Sequence, residues 1–363
     1  VAAPEKMPGA TEPDLAIDPN DPARMVVGAI MGGLKGDDSV AYPAFASADG
    51  GATWSRATGP PPSHAGDPGV EFDLDGVVYL STLDPTARDG TPIGITVGRS
   101  TDGGRSFTKA AYAMDTSTSF AFPDGVARKL CGEEGNFFDY PKLAVDRGAD
   151  SPYRNRLYLI ANGINFDRDA DGVCESASHL FVRSIDGGLH WDSAQSIPAM
   201  KQYTSSLAVG ADGAIYVSDP TFGTPSCPGA PGLALRKSID GGSTFPPAMC
   251  VPAQDLKLSG DPTWTAADPG APGKVAIAFS AVYPGRAGVH VFVVRSDDGG
   301  RSWSLPARVD DLLDRDEVDH FRPSLSVSES GRLDLVWADY RYSKPRRFRE
   351  SRQSGDVYYS YSL

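Results

Sequence analysis

Alternating aspartates mark the segment 167–175, which reads Asp-Arg-Asp-Ala-Asp-Gly-Val-Cys-Glu. Carboxylates at every second position ahead of a glycine are typical of the opening of a calcium loop, because a hard cation takes several oxygen ligands. The expected ligands are four acidic side chains and one main-chain carbonyl: Asp167, Asp169, Asp171, Glu175 and the carbonyl of Val173. Ser178 stands where an EF-hand has its bidentate glutamate, so a solvated acidic turn is the alternative.

Positive charge is concentrated in the segment 341–352, within a chain whose formal net charge is −13. Six basic residues stand there against the single acid Glu350: Arg341, Lys344, Arg346, Arg347, Arg349 and Arg352. Such a patch attracts an anionic ligand, although a solvated loop has the same composition. The acidic balance of the whole chain argues against general binding to nucleic acid or to anionic membranes.

The chain is organised around a repeated octet with the pattern Ser-x-Asp-x-Gly-x-x-aromatic. Five copies begin at Ser47, Ser100, Ser184, Ser238 and Ser296. Each copy follows a short apolar run and precedes a second extended run. Its glycines allow positive φ angles and its oxygens accept bonds from turn amides, so it predicts a strand–turn–strand corner. The terminal aromatic residue is expected to pack between neighbouring repeats.

A second repeat lies upstream of the octets, and the number of its copies gives the number of blades. Six strand openings begin at Glu12, Asp67, Asp139, Tyr203, Asp261 and Phe321. Six hairpins, each with a third strand and usually an octet, predict an all-β fold: one six-bladed β-propeller domain over residues 1–363. The blades fall approximately at 12–58, 67–112, 139–198, 203–252, 261–310 and 321–363. The last blade lacks an octet, so residues 1–8 are expected to supply its outer strand and close the ring.

The first strand of each propeller blade lines the central channel, so its start and the end of the second strand gather at one mouth. Polar and aromatic side chains converging there predict a pocket. Our catalytic candidates are Arg322, Arg341, Asp339, Tyr203, Glu12, Asp67 and Asp261. The candidates for substrate contact are Asp139, Tyr140, Trp264, His320 and Tyr340. A wet channel lined by strand-capping residues is the alternative.

The octet resembles the Asp-box, or BNR, repeat of sialidases and related β-propellers. The resemblance spans nearly all of the chain and implies that the box aspartates are structural and lie on the face opposite the active site. These are Asp49, Asp102, Asp186, Asp240 and Asp298. Blade 6 resembles the opening blade of a sialidase through Phe321-Arg-Pro and the Asp-Tyr-Arg ending at Arg341. This implies that Arg322 grips a substrate carboxylate in a bidentate manner, with Arg341 as an additional cation.

On this resemblance we expect a secreted or periplasmic, sialidase-like glycoside hydrolase that acts on a glycan with an acidic sugar. Tyr203 would attack with Glu12 as its partner, because an anionic substrate repels a carboxylate nucleophile. Asp67 or Asp261 would donate the proton. Basic residues occupy the loop after Arg341, where a sialidase has its general-acid aspartate. A non-catalytic glycan- or protein-binding propeller and a polysaccharide lyase of the same fold are the alternatives.

Four cysteines fall into two local groups, Cys131 with Cys174 and Cys227 with Cys250. Neither group has the spacing of a zinc site, so we expect two disulfides and an oxidising compartment, with four reduced thiols as the alternative. The sequence contains no apolar run of about 18 residues. We expect a monomer whose partner is an anionic carbohydrate, with no organic cofactor and no bound nucleic acid.

Overall fold

A computed structural model describes residues 10–31, 44–59, 66–84, 94–108, 111–115, 137–168, 174–197, 206–221, 232–253, 255–311, 318–328, 330–342 and 356–362. The regular elements of these residues are β-strands, which form six antiparallel sheets. The chain divides into two compact units, residues 1–146 with 155–201 and residues 147–154 with 202–363. No helix that could cross a membrane occurs in the described part of the chain.

Unit 1 holds three four-stranded sheets, each a meander in chain order. Blade 1 comprises β1 (Ala10–Asp18), β2 (Asp21–Met31), β3 (Ala44–Ser47) and β4 (Ser55–Arg56). Blade 2 comprises β5 (Gly66–Phe72), β6 (Val78–Asp84), β7 (Gly94–Ser100) and β8 (Ala111–Asp115). Blade 3 comprises β9 (Phe137–Val145), β10 (Leu157–Arg168), β11 (Cys174–Ser184) and β12 (Gln195–Ile197).

Unit 2 holds the other three sheets. Blade 4 comprises β13 (Ser206–Val209), β14 (Ile215–Thr221), β15 (Gly232–Ser238) and β16 (Met249–Val251). Blade 5 comprises β17 (Lys257–Leu258), β18 (Trp264–Ala267), β19 (Val275–Val282), β20 (His290–Ser296) and β21 (Ala307–Arg308). Blade 6 has three described strands: β22 (His320–Val327), β23 (Leu333–Asp339) and β24 (Asp356–Tyr361).

Apolar side chains from adjacent sheets form the cores of each unit, because a sheet must bury at least one face. In unit 1 a cluster that includes Val26 and Phe72 lies between blades 1 and 2. A larger cluster around Leu157 and Leu159 lies between blades 2 and 3. In unit 2 the corresponding clusters join blade 4 to blade 5 and blade 5 to blade 6.

The octets form one repeated turn whose bonds explain their sequence. In the fifth box the hydroxyl of Ser296 donates to Asp298 at 2.9 Å and accepts from the amide of Gly300 at 2.8 Å. The amide of Ser302 donates to Asp298 at 2.9 Å. Gly299 and Gly300 have φ angles of 74° and 90°, which residues with a Cβ rarely adopt. The box is therefore a turn held by its own Ser and Asp side chains.

The predicted all-β class with six blades is confirmed by these six sheets. Blade 5 differs from the expected pattern because its first strand is split: β17 and β18 both pair with β19, and Asp261 lies in the break. The single domain and its closure by residues 1–8 stay predictions, since those residues lie outside the described part. Both cysteine pairings also stay predictions, because Cys131 and Cys227 are outside it.

Candidate functional site

Four of the innermost strands carry the same irregularity near their start. In β1, one extra residue is inserted between Thr11 and Asp14 relative to the facing strand. Identical bulges follow Gly66 in β5, Asp139 in β9 and Phe321 in β22. Each bulge holds a residue that precedes proline and has a positive φ: Glu12 (52°), Asp67 (41°), Tyr140 (56°) and Arg322 (52°).

The bulges hold residues with polar, chemically active side chains in a strained backbone conformation. A left-handed φ costs a residue with a Cβ about 1–2 kcal/mol, and a residue before proline ordinarily favours an extended backbone. Glycine would relieve the cost, yet the chain places two carboxylates, a phenol and a guanidinium there. Strain of this kind persists where the surrounding structure imposes it, and it concentrates next to active sites. The bulges therefore mark candidate functional positions in each unit.

A carboxyl pair forms where the bulges of β5 and β9 lie next to each other in unit 1. Asp67 and Asp139 share a side-chain hydrogen bond. The amide of Tyr140 donates to both carboxyls, at 3.2 Å to Asp67 Oδ2 and 3.0 Å to Asp139 Oδ1. Because Asp67 lies in the bulge of β5 and Asp139 pairs with Asn162 just before the bulge of β9, the neighbouring inner strands bring the two carboxyls together.

This pair alters the protonation of Asp139. Burial, the hydrogen bond to Asp67 and repulsion by the Asp67 charge raise the pKa of Asp139 to about 6, against a weaker opposing effect of the Tyr140 amide. Two carboxylates in contact cannot both ionise without an electrostatic cost, so Asp139 keeps its proton to a higher pH than an ordinary aspartate does. Asp139 is therefore a carboxylic acid that can release a proton near neutral pH, as a general acid must.

Asp14 adds a second perturbed carboxyl to unit 1, which the sequence did not single out. Its Oδ2 accepts the amide of Val70 in the next blade at 2.9 Å. Burial raises the pKa of Asp14, while the charge of Lys142 lowers it. Lys142 also lies over the ring of Tyr140, with Nζ 5.2 Å from the centroid. The only sequence signal for Asp14 was its place directly after the Glu12-Pro13 pair.

In unit 2 the exposed side chain of Arg322 belongs to a mixed group of charges around the phenol of Tyr340. Burial raises the pKa of Tyr340, Arg322 lowers it, and the charges of Asp261 and Asp319 raise it. Tyr340 is buried, whereas the predicted site residues Arg322 and Asp261 are more accessible to solvent. A guanidinium in this position can grip a carboxylate with two parallel bonds.

Asp339 and Arg341, which were predicted to be catalytic, lie in a buried ion-pair network. The carboxylate of Asp339 is fully buried and accepts bonds from Arg341 at 3.0 Å (Nε) and 2.7 Å (Nη2). Nη2 of Arg341 also bonds Asp311 at 2.7 Å, and the guanidinium lies 4.0 Å from the ring centroid of Tyr358. The charge of Arg341 is thus already compensated, and Asp339 has no access to solvent.

The remaining predicted residues occupy different surroundings. The amide of Asp261 donates to Ser259 Oγ at 3.2 Å. Trp264 is half-buried against the core between blades 5 and 6. Glu12 is exposed, and His320 is fully buried. Four predicted residues lie outside the described part of the chain: Tyr203, Asp169, Asp171 and Val173. Asp167 lies near the end of β10 and Glu175 near the start of β11, and only their backbone is described.

Three side chains of unit 2 have the chemistry of a metal site; the sequence indicated only His320 among them, as a candidate for substrate contact. The ligating atoms of His290, Asp310 and His320 lie within 4.8 Å of one another, and all three residues are buried. Arg308 donates to Asp310 at 2.6 Å, and Nδ1 of His320 bonds the carbonyl of Val289 at 2.7 Å. Because Arg308 already neutralises the carboxylate, we interpret the cluster as a buried hydrogen-bond network.

No protein-family model matches the sequence, and no curated protein matches it either. Solved structures do match. The chain aligns with a leech intramolecular trans-sialidase, solved with 2,7-anhydro-Neu5Ac, at 14% identity and a TM-score of 0.56, over 98% of this chain and 68% of that one. It aligns with the Hadza microbial sialidase Hz136 at 17% identity and a TM-score of 0.55, over 90% of this chain and 63% of that one.

A third match is an α-L-arabinofuranosidase from Fusarium graminearum, in complex with an iminosugar inhibitor. The identity is 13% and the TM-score 0.57, over 91% of this chain and 88% of that one. At these identities the likeness concerns the fold. The chain therefore has the six-bladed β-propeller fold that several glycoside hydrolases share.

Proposed function

We propose that this chain is a glycoside hydrolase whose proton donor is Asp139. The observation that supports this most directly is the hydrogen-bonded pair of Asp139 and Asp67, in which the pKa of Asp139 is raised to about 6. A glycosidic oxygen is a poor leaving group, so its departure needs an acid whose pKa lies near the working pH. Burial and the neighbouring Asp67 carboxylate together raise the pKa of Asp139, and Asp67 acts as the positioning carboxylate.

Two further considerations support a hydrolase. The strained bulges place Asp67 and Tyr140 next to Asp139, which favours a preorganised site. The structural neighbours named above act on carbohydrate, and their propeller fold is the one found here. The nucleophile remains the prediction made from the sequence, Tyr203 with Glu12 as its partner.

The first test measures turnover of aryl α-sialosides, β-glucuronides and α-L-arabinofuranosides, with 3′-sialyllactose as a substrate that has a poor leaving group. Asp139→Asn is expected to lower kcat on 3′-sialyllactose, or on the equivalent unactivated substrate of the active class, by about 10²–10⁴-fold. The loss should be smaller on aryl glycosides, because an activated phenol departs without protonation. Asp297→Asn, an exposed aspartate of the fifth box, is the matched control.

The outcomes separate the competing functions. Glycan binding without product release would contradict a hydrolase and favour a non-catalytic binding propeller. A product with an unsaturated uronate, detected by its ultraviolet absorbance, would instead indicate a lyase. Equal activity of Asp139→Asn and the wild type on every substrate would contradict the assigned proton donor.

We propose further that the substrate is anionic and that Arg322 binds its carboxylate. Its exposed guanidinium and strained backbone support this role. A charge-assisted contact contributes about 1.5–3 kcal/mol, so Arg322→Ala should raise KM roughly 10- to 100-fold for an aryl glucuronide. The aryl glucoside, which lacks the carboxylate, should be unaffected. Equal losses on both substrates would contradict carboxylate recognition by Arg322.

A further inference from the structure

A cavity of about 670 Å³ lies in unit 1 at the box end of blades 1 and 2. Its walls include Arg24 of β2, Ala46 of β3, Thr53 and Trp54 of the first box, and Asp102 and Arg105 of the second box. The Glu12 bulge lies at the other end of the β1–β2 hairpin, roughly 20 Å away at about 3.3 Å per residue. Asp139 lies beside the corresponding bulge of β9, so the cavity and the candidate acid are at opposite ends of the sheets of unit 1.

The ladder register explains why the cavity exists. One position before the box serine, Tyr79 pairs with Arg99 in blade 2 and Tyr216 pairs with Lys237 in blade 4. The blade 1 pair at the same position is Val26 with Ala46. Two large side chains are replaced by two small ones, so blade 1 leaves open a volume that the other two blades fill.

The contacts of the box glycines confirm this difference. A Cβ on Gly187 would lie 3.3 Å from the hydroxyl of Tyr79, and a Cβ on Gly299 would lie 3.6 Å from the hydroxyl of Tyr216. The equivalent glycine next to blade 1 is Gly103, whose Cβ would meet Nε of Arg24 at 3.2 Å. A guanidinium therefore lines the space where blades 2 and 4 bury a phenol.

The walls of the cavity are fixed before any ligand arrives. The amide of Thr58 donates to the carbonyl of Arg105 at 2.9 Å, and the amide of Phe107 donates to that of Thr58 at 2.8 Å, so the edge of blade 1 is tied to the second box. Nε1 of Trp54 donates to the carbonyl of Gly51 at 3.0 Å, which orients the indole. A preformed site lowers the ordering cost of binding.

The chemistry of the walls indicates the class of ligand. The formal charges balance, with Arg24 and Arg105 against Asp21 and Asp102. Arg24 pairs with Asp18 at 3.1 Å, and the carboxylate of Asp102 is engaged by the hydroxyls of Ser100 and Ser106 at 2.8 and 2.5 Å. An oriented indole among guanidinium, carboxylate and hydroxyl groups suits a ligand with an apolar C–H face and a ring of hydroxyls.

We infer that this cavity binds a saccharide unit, stacked on Trp54 and hydrogen-bonded by Arg24 and Arg105. The site holds a glycan without cleaving it, because the carboxyl of Asp102 is committed to its own turn. A second saccharide site far from the acid would keep a polymeric substrate on the protein between turnovers. The inference goes beyond the proposed hydrolase, since binding here needs no turnover.

The test uses a variant that closes the cavity as blade 4 does, Val26→Tyr with Ala46→Lys. Binding of lactose, 3′-sialyllactose and arabinobiose is measured by saturation-transfer NMR and by calorimetry, in an Asp139→Asn background that prevents turnover. We expect the filled variant to bind at least one of these sugars at least 10-fold more weakly, with an equal or higher Tm. Turnover of aryl glycosides, measured with Asp139 intact, should be unchanged.

Two further variants keep the test decisive if the filled variant does not fold. Arg105→Ala, at an exposed wall residue, should weaken the same sugar at unchanged Tm, and Trp54→Phe should weaken it less because a ring remains. Unchanged affinity in the filled variant and in Arg105→Ala, or no binding of any of the three sugars at millimolar concentration, overturns the inference. Loss of turnover in Asp139→Asn with this binding intact separates the two proposals.

Discussion

Nε2 of His320 lies 3.2 Å from a carboxylate oxygen of Asp339, and neither side chain has access to solvent. Burial alone favours a neutral imidazole, but the contact with Asp339 and the charge of Asp310 outweigh it, so the pKa of His320 is raised. Burial likewise opposes ionisation of Asp339, yet the contact with His320 and the bonds from Arg341 hold its pKa well below the usual range. Blade 6 thus contains a buried His320–Asp339 contact that becomes an ion pair when the imidazole is protonated.

This pair predicts a two-sided pH dependence of stability. Asp339 contributes stability above its ordinary pKa of 3.8 that is lost as the pH falls towards its lower folded value. His320 contributes stability below its ordinary pKa of 6.5 that is lost as the pH rises through its raised folded value. Urea unfolding between pH 3 and 9 should show an alkaline decline that is absent in His320→Gln. The exposed histidine His190, changed to Gln, should leave the decline intact; an alkaline slope that survives in His320→Gln would refute the prediction.

The pH–rate profile tests the carboxyl pair. If Asp139 is the general acid, kcat/KM should fall as the pH rises through about 6, where its proton is lost. Asp67→Asn removes the repulsion that raises the pKa of Asp139, so the alkaline limb should move to lower pH. Rate measurements from pH 4 to 8 on both proteins check this. A limb that stays in place would mean that Asp67 does not control Asp139.

The bulges predict a conflict between stability and activity. Arg322→Gly and Arg322→Ala both remove the guanidinium, but only alanine keeps the Cβ that makes a φ of 52° costly. The glycine variant should therefore be more stable than the alanine variant by about 1 kcal/mol, since the relief of strain exceeds the added backbone entropy. Chemical unfolding measures the difference, while both variants should be equally impaired on acidic substrates. Equal stabilities would contradict the strain.

The boxes predict a structural role for their aspartates. The hydroxyl and amide of Ser302 hold the pKa of Asp298 at about 2. A depressed folded pKa gives stability above the ordinary value of 3.8 that disappears as the pH falls towards 2. Asp298→Asn should therefore lower Tm by a few degrees at pH 7, with little difference near pH 2 and unchanged kcat. Its neighbour Asp297→Asn should leave Tm unchanged, and a large loss of activity in Asp298→Asn would contradict the structural assignment.

The calcium site expected at 167–175 stays a prediction. Ligand that binds only the folded state stabilises it, by roughly 2.7 kcal/mol at a hundred times Kd. Calcium chloride should raise Tm, and Asp171→Asn should abolish the increase. Magnesium chloride at the same concentration is the control, because magnesium demands a more regular octahedral site. An unchanged Tm in calcium would indicate the solvated acidic turn.

Much of the fold could be predicted because its signals are local. The serine, aspartate and two glycines of each box satisfy one turn by themselves, as the bonds of Ser296 and Asp298 show. The split first strand of blade 5 could not be predicted, because it depends on how Gly260, with a φ of 91°, and Asp261 fit against β19. An Asp-Pro pair alone does not distinguish that break from the continuous bulge at Asp67.

The candidate site was less accessible to sequence reasoning because it depends on packing between blades. Asp67 and Asp139 are 72 residues apart in sequence, and they come into contact only because β5 and β9 lie side by side. That contact is one of the causes of the raised pKa of Asp139. The pre-proline rule predicts an extended backbone at Arg322, whereas the bulge imposes a left-handed one. The cavity did have a sequence signal, since Val26 stands where three other blades have tyrosine, but it becomes visible only once the register is known.

The repeated bulge gives blades 1, 2, 3 and 6 a position at which one side chain can be exchanged. The proline has no amide hydrogen to give the ladder, and the extra residue lies outside the strand pairing. Glutamate, aspartate, tyrosine and arginine all occupy it on the same backbone path. New recognition can therefore arise by exchanging one side chain per blade, while the apolar layers between the sheets remain untouched.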